Sequence, residues 1–445
     1  MPSLFPRNFG KNYPVAARGE GCWIISADGR RFLDAAGQAA VVNIGHGVAE
    51  IGRAMAEQSA QLAFVHTTQF HNASAEKLAA RLLQLAPPNF RDGGRVHFTS
   101  GGSEATETAI KLARQFHLET DAPQRFGVVS RRQSYHGSTL AAMSVSGNVA
   151  RRTAYQPMLP EWGHIEPCFP YHRPANQTEK DYGLACANDL DKFLCGPSGK
   201  NSSAFIFEPI VGATLGAAVP SEGYVARLAE ICRQHKILLI ADEIMSGMGR
   251  TGKPFAIHHW HNDNVEPDII LVGKGIASGY APLGAVLISA RVVAAFERGS
   301  GVFQHGFTYQ SHPVATAAGN AVLDYIEAHS LFARVDEVSK TLSRDLAPLL
   351  AHPYVGEIRG LGLLLGIEFV KNKSTREPFP PSENIAERIR QAAMEEGVLT
   401  YPTQGCVDGL RGDHILLAPP FILSAAESTM VAAALQSALA KVFPR

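Results

Sequence analysis

Unbroken apolar runs separated by helical stretches dominate the middle of the chain. Ala204-Phe205-Ile206-Phe207, Ile237-Leu238-Leu239-Ile240-Ala241, Ile269-Ile270-Leu271-Val272 and Ala285-Val286-Leu287-Ile288 contain no polar position. A strand with one face in water alternates, so these runs predict strands buried on both faces of a mainly parallel sheet. Stretches of helical spacing lie between them, for example 224–235, and give an α/β order with crossovers from about 74 to 325. The first 45 residues read as an extended arm with short strands and a turn at Ala27-Asp28-Gly29. A long helix is predicted near 313–350. Beyond it, strands around 355–359 and 363–370 and helices at 384–396 and 424–442 predict a smaller α+β domain. The expected division is an arm (1–45) joining the small domain, a large domain (46–325) and a C-terminal small domain (326–445).

Composition narrows the class. At 445 residues the chain is too long for one hydrophobic core, which agrees with two domains. Lys plus Arg and Asp plus Glu both total 41, so no net field draws the chain to nucleic acid or to an anionic membrane. No apolar run is long enough to span a bilayer, and the opening Met1-Pro2-Ser3-Leu4-Phe5-Pro6 lacks the apolar core of a signal peptide. The six cysteines lack CxxC spacing, so neither a disulfide framework nor a zinc site is expected, and a cytoplasmic location is.

Three features sit at predicted strand ends, where open α/β sheets bind ligands. In Thr99-Ser100-Gly101-Gly102-Ser103-Glu104, two glycines at a helix start let a phosphate approach free N–H groups, and Ser103 adds a hydroxyl. Alone, this is also an ordinary capped turn. Asp242 follows Ile237–Ala241 as a polar strand end or as the partner of a cationic ligand group. Lys274 follows Ile269–Val272 and precedes Gly275; a lysine on a pocket floor must be paired, deprotonated or covalently used. Together they match the phosphate, pyridinium and aldehyde of pyridoxal 5'-phosphate (PLP).

With Leu238–Ile244, Gly249-Arg250-Thr251-Gly252 and Pro267-Asp268 leading to Lys274-Gly275, the chain resembles the class III aminotransferases of PLP fold type I. The likeness runs from about Arg30 to Pro420 through Tyr135-His136-Gly137, Glu208-Pro209, Thr308-Tyr309 and His312-Pro313. The resemblance implies a Schiff base on Lys274, which would also shuttle the substrate proton, and Asp242 on the pyridine nitrogen. It further implies Gly102 and Ser103 on the phosphate, Tyr135 and Ile244 on the two ring faces, and Glu208 in the polar network. Thr308 would reach a neighbouring subunit's phosphate, implying a homodimer or larger assembly. The implied activity is transfer of an amino group from an ω-amino acid or amine to a keto acid such as pyruvate, by a ping-pong mechanism. The same fold also hosts decarboxylases, epimerases, aminomutases and non-catalytic proteins.

The chain departs from the family pattern in three places. The phosphate motif, usually Asn-Ser-Gly-Ser, is Ser100-Gly101-Gly102-Ser103 here. Leu416 stands where acetylornithine-type members carry a carboxylate-gripping arginine, while Arg411 lies near the mobile arginine of amine:pyruvate-type members and is either a keto-acid clamp or a loop arginine. Gly37-Gln38-Ala39-Ala40 lacks the bulky aromatic common in that group. Two other motifs lead nowhere. Gly247–Gly252 matches GxGxxG but runs into Lys253-Pro254 rather than a helix, and Gly196–Ser202 is too short for a P-loop. His258, His259 and His261 read as a surface helix or loop rather than a metal site.

Overall fold

The computed structural model describes residues 3–444. Seven strands form the central sheet in the order Arg95–Thr99, Gly284–Ile288, Ile269–Val272, Leu238–Asp242, Ser202–Phe207, Gly127–Arg131 and His164–Ile165. Gly284–Ile288 is antiparallel to both its neighbours; the remaining pairs are parallel.

The unbroken apolar runs are explained by burial on both faces. Ala204, Ile206, Leu238, Ile240, Ile269 and Leu271 pack into one core, and Phe205, Phe207, Leu239, Ala241, Ile270 and Val272 into another. Adjacent strand residues point to opposite faces, so alternate positions feed the two cores. Helix Gly102–Glu119 covers the first face with Ala105, Ala109, Leu112, Ala113 and Phe116. Helix Tyr224–His235 covers the second with Val225, Leu228 and Ile231.

The small domain is a four-stranded antiparallel sheet, Val355–Leu361, Leu364–Phe369, Asp413–Leu417 and Tyr401–Gln404, backed by helices Leu331–Leu346, Ile385–Glu395 and Ala425–Val442. The arm forms three antiparallel strands, Ala16–Glu20, Trp23–Ser26 and Arg31–Asp34, the last pairing in parallel with Val398–Leu399. Leu33, Ile44 and Ile51 share a core with the small domain.

Where one long helix was expected near 313–350, there are two, Pro313–Ala328 and Leu331–Leu346, then a 3-10 turn at Ala347–Ala351. Ser330 breaks the run with a left-handed φ of 50°. The first helix serves both domains: Ala315 and Leu323 join the large core, Ala318, Val322 and Ile326 the small one. Among the described residues, no helix is long and apolar enough to cross a membrane.

Candidate active site

The parallel strands all end at one edge of the large sheet. Thr99 pairs with Gly284 and Val272 with Ala285, while Ala241 lies between Phe207 and Ile270. The loops that follow these ends therefore open side by side. They carry Gly102, Ser103, Tyr135, Glu208, Asp242, Ile244 and Lys274.

Asp242 is buried, and its carboxylate is already held on both oxygens. The Ile244 N–H donates to Oδ1 at 3.1 Å, and His136 Nδ1 lies 2.7 Å from Oδ2. An ionised carboxylate only accepts, so Nδ1 is the donor. His136 is fixed in turn by its own backbone: its N–H donates to Ser146 Oγ and its carbonyl accepts from Thr106 Oγ1. Glu208 is buried nearby and accepts the Tyr135 N–H at 3.1 Å and the Gly212 N–H at 2.9 Å. Burial raises its pKa and the Asp242 charge adds to this, against the pull of His136 and Arg131.

Lys274 follows Gly273 with φ of 46°, a left-handed conformation that costs a non-glycine residue about 1–2 kcal/mol. Gly275 makes the path feasible, since a Cβ there would come within 2.3 Å of Asn43 Nδ2. Among the described residues, the Lys274 amine has no carboxylate in hydrogen-bond reach and donates instead to Ala39 O at 3.0 Å. That carbonyl belongs to a second strained element. Gly37, Gln38, Ala39 and Ala40 have φ of 53°, 49°, 66° and 59°, one left-handed turn made mostly of residues that avoid it. Burial pushes the Lys274 amine down to about 8. Asp242 and Glu208 pull it back, while Arg250 and Arg151 add to the lowering.

Helix Gly102–Glu119 starts from Gly101, which offers no side-chain cap to the first N–H groups. A Cβ on Gly102 would lie 2.8 Å from Ile244 Cδ1, so a larger residue there would push Ile244 away from the helix start. Ser103 Oγ accepts the Ser138 N–H at 3.0 Å, and Ser138 Oγ lies 2.9 Å from the Tyr135 hydroxyl. The expected phosphate, ring and aldehyde positions thus share one edge of the sheet.

A match to the family described as Aminotransferase class-III spans residues 5–439. The chain belongs to the class III aminotransferases. An aminotransferase of Bacillus subtilis is 38% identical over 416 residues, covering 93% of this chain and 92% of the relative. The diaminobutyrate–2-oxoglutarate transaminase of Halomonas elongata is 33% identical, covering 96% and 90%. An amine transaminase from an uncultivated Pseudomonas species, solved in its PLP-bound internal aldimine form, superimposes with a TM-score of 0.91 at 34% identity. That superposition covers 100% of this chain and 98% of the other. This aminotransferase is a PLP-dependent transaminase of fold type I. Its residues fit the cofactor: an uncapped helix start suits a phosphate, and a carboxylate that still has lone pairs suits a protonated ring nitrogen.

Two expected site residues lie apart from this cluster. Thr308 is exposed on the loop before helix Pro313–Ala328, and Arg411 on an exposed turn where its Nε donates to Asp408 Oδ2 at 2.6 Å. Among the described residues, no hydrogen bond ties either to the cluster. Leu416 is buried beside Ala40, Ile210 and Ala418 in an apolar group. The histidine trio occupies 3-10 turns at Ala256–Asp263. Sequence reasoning gave no role to His136, although it sits inside the Tyr135-His136-Gly137 motif; its pairing with Asp242 spans 106 positions, and no local pattern encodes it. Nor did it single out Ala39 or Arg151, whose guanidinium lies over the Tyr135 ring at 4.5 Å. Far from the edge, Asp191, Cys195 and His235 bring one ligand atom each within 4.8 Å of one another, a grouping that sequence spacing did not suggest.

Proposed function

We propose that this aminotransferase takes an amino group from an ω-amino acid or amine and gives it to a keto acid such as pyruvate, in two alternating half-reactions. The observation that carries the reading is the Lys274 amine: depressed in basicity, bonded only to a carbonyl, and set at the same sheet edge as Asp242 and the Gly101-Gly102 helix start. Lys274 would supply the amine for the cofactor's aldehyde and would then hold the proton taken from the substrate carbon. Asp242, oriented by His136 and by the Ile244 N–H, would hold the pyridine nitrogen protonated. PLP, when bound, supplies a ring that accepts the electron density released as that proton leaves. Gly102 and Ser103 would bind the phosphate and Tyr135 and Ile244 would flank the ring, while Glu208 fixes the Tyr135 backbone. Leu416 and its apolar neighbours favour a donor without an α-carboxylate.

A second copy completes the assembly in this reading. Thr308 borders an open cavity of about 650 Å³ shared with exposed Phe70, and Tyr309 beside it is exposed, a surface suited to a homodimer in which Thr308 would meet the partner's phosphate. All six cysteines are free thiols, which suits a reducing cytoplasm.

The test is the visible spectrum of the purified protein with a panel of amine donors and no acceptor. A yellow band that bleaches with a donor and returns with pyruvate is expected. Lys274→Ala should abolish the cycle and Asp242→Asn should slow it by orders of magnitude. A protein that takes up no PLP, or a Lys274→Ala variant that still turns over, overturns the reading.

A further inference from the structure

We infer that Arg151 receives the carboxylate of the acidic substrate, the keto acid above all; this rests on the reaction proposed above. Arg151 lies on the short turn Val149–Arg152, and its guanidinium carbon stands 4.5 Å from the centre of the Tyr135 ring. Arg151 is exposed, and its charge contributes to the lowering of the Lys274 amine.

The other arginines around this edge are paired or, like Arg131 with its unpartnered Nε and Nη1, wholly buried. Arg131 donates to the Glu208 carbonyl, and Arg152 to Ser146 O beside His164. Arg250 is spent on backbone and amide oxygens, and Arg359 is paired with Glu357 and Glu368. Arg411, the clamp considered from the sequence, is held by Asp408. Its turn leans on the Arg151 turn, since a Cβ on Gly409 would come within 2.5 Å of Val149 Cγ2. Among the described residues, the Arg151 side chain has no carboxylate and no hydrogen-bond acceptor. Its guanidinium rests on the face of Tyr135.

The chemistry follows from that isolation. A guanidinium stays charged at any physiological pH and offers paired donors that match a carboxylate. An exposed guanidinium over a half-buried ring is held weakly, so leaving Tyr135 for a bidentate pair is favourable. Every keto acid brings a carboxylate, and a neutral amine brings none. With Arg151 resting on Tyr135, the site admits the amine without burying an unpaired charge.

The experiment compares the unaltered, PLP-loaded protein with Arg151→Ala, Arg151→Lys and Arg411→Ala. Calorimetry measures binding of propionate, with propionamide as the neutral control of the same shape. Kinetics measure KM for pyruvate against KM for propanal as acceptor. Arg151→Ala should weaken propionate and raise the pyruvate KM by about tenfold or more, as loss of a charge-assisted pair predicts, and spare propionamide and propanal. Arg151→Lys should recover part of the loss. Equal losses for charged and neutral probes, no loss at all, or a loss that follows Arg411 instead each overturn the inference. So does an unaltered protein that binds propionate no better than propionamide. Propionate binding needs no turnover: a protein that binds it through Arg151 yet moves no amino group keeps this inference and sinks only the proposed reaction.

Discussion

His136 and Asp242 form a buried pair, Nδ1 to Oδ2 at 2.7 Å, with 0% and 3% of their side chains exposed. The histidine reaches the carboxylate from the loop after Gly127–Arg131, two strands away in the sheet order from Leu238–Asp242. It fixes the orientation of the acid, and through it the protonation of whatever cationic nitrogen the acid meets.

His136→Phe removes the donor and leaves the carboxylate with one hydrogen bond fewer. A charge-assisted bond contributes about 1.5–3 kcal/mol, so transfer should slow by about ten- to a hundredfold. The absorbance of the PLP-loaded variant should also titrate at a shifted pH, a change that loosened packing alone does not produce. A rate and titration like those of the unaltered protein would remove His136 from the mechanism.

Lys274 makes cofactor uptake depend on pH. Its amine is held near pH 8 by burial, below the ordinary lysine range, and only the neutral form attacks an aldehyde. The rate of PLP uptake should therefore rise through about pH 8 and level off above it. Stability of the cofactor-free protein runs the same way: from about pH 8 up to the ordinary lysine range, the unfolded chain binds a proton that the folded chain does not. Stability should rise with pH across that window, and Lys274→Met should flatten the rise. An uptake rate that is flat between pH 7 and 9 counts against the depressed amine.

Much of this was legible along the chain because burial leaves a local mark. The apolar runs ending at Ala241 and Val272 announced two-sided strands, and the residues after them, Asp242 and Lys274, landed on one sheet edge as connectivity requires. Gly127–Arg131 and His164–Ile165 left no such mark: one ends in Ser130-Arg131 and the other is two residues long. The antiparallel setting of Gly284–Ile288 was also hidden, because a buried strand reads the same in either direction. The left-handed turn at Gly37–Ala40 opposes local preference at three non-glycine positions, so only tertiary contacts can specify it. One is packing of Gly37 against the carbonyl of Ala418. Arg411 showed the reverse problem: the resemblance left it either a keto-acid clamp or a loop arginine, and only the structure shows that a local Asp408 three residues away pairs with it.

Arg250 is the joint between the arm and both domains. Fully buried, it donates to Val42 O and Asn43 Oδ1 on the arm and to Leu363 O and Pro419 O in the small domain, with Phe421 beneath it at 4.8 Å. Burial pushes it down to about 9, so it remains charged at neutral pH, with no carboxylate bonded to it among the described residues. Arg250→Met keeps the bulk but leaves several oxygens without a donor, and each unpaired group costs about 1–3 kcal/mol. Denaturant unfolding of the cofactor-free protein should show a loss of about 3 kcal/mol or more for Arg250→Met. Arg250→Lys should fall between, because one ammonium cannot span acceptors laid out for a fork. The arm also carries Ala39, so Arg250→Lys should free the Lys274 amine from its carbonyl and shift the pH of half-maximal PLP uptake. Unchanged stability in Arg250→Met would mean that the arm is held by its strands and apolar contacts alone, and the shift in uptake should then be absent as well.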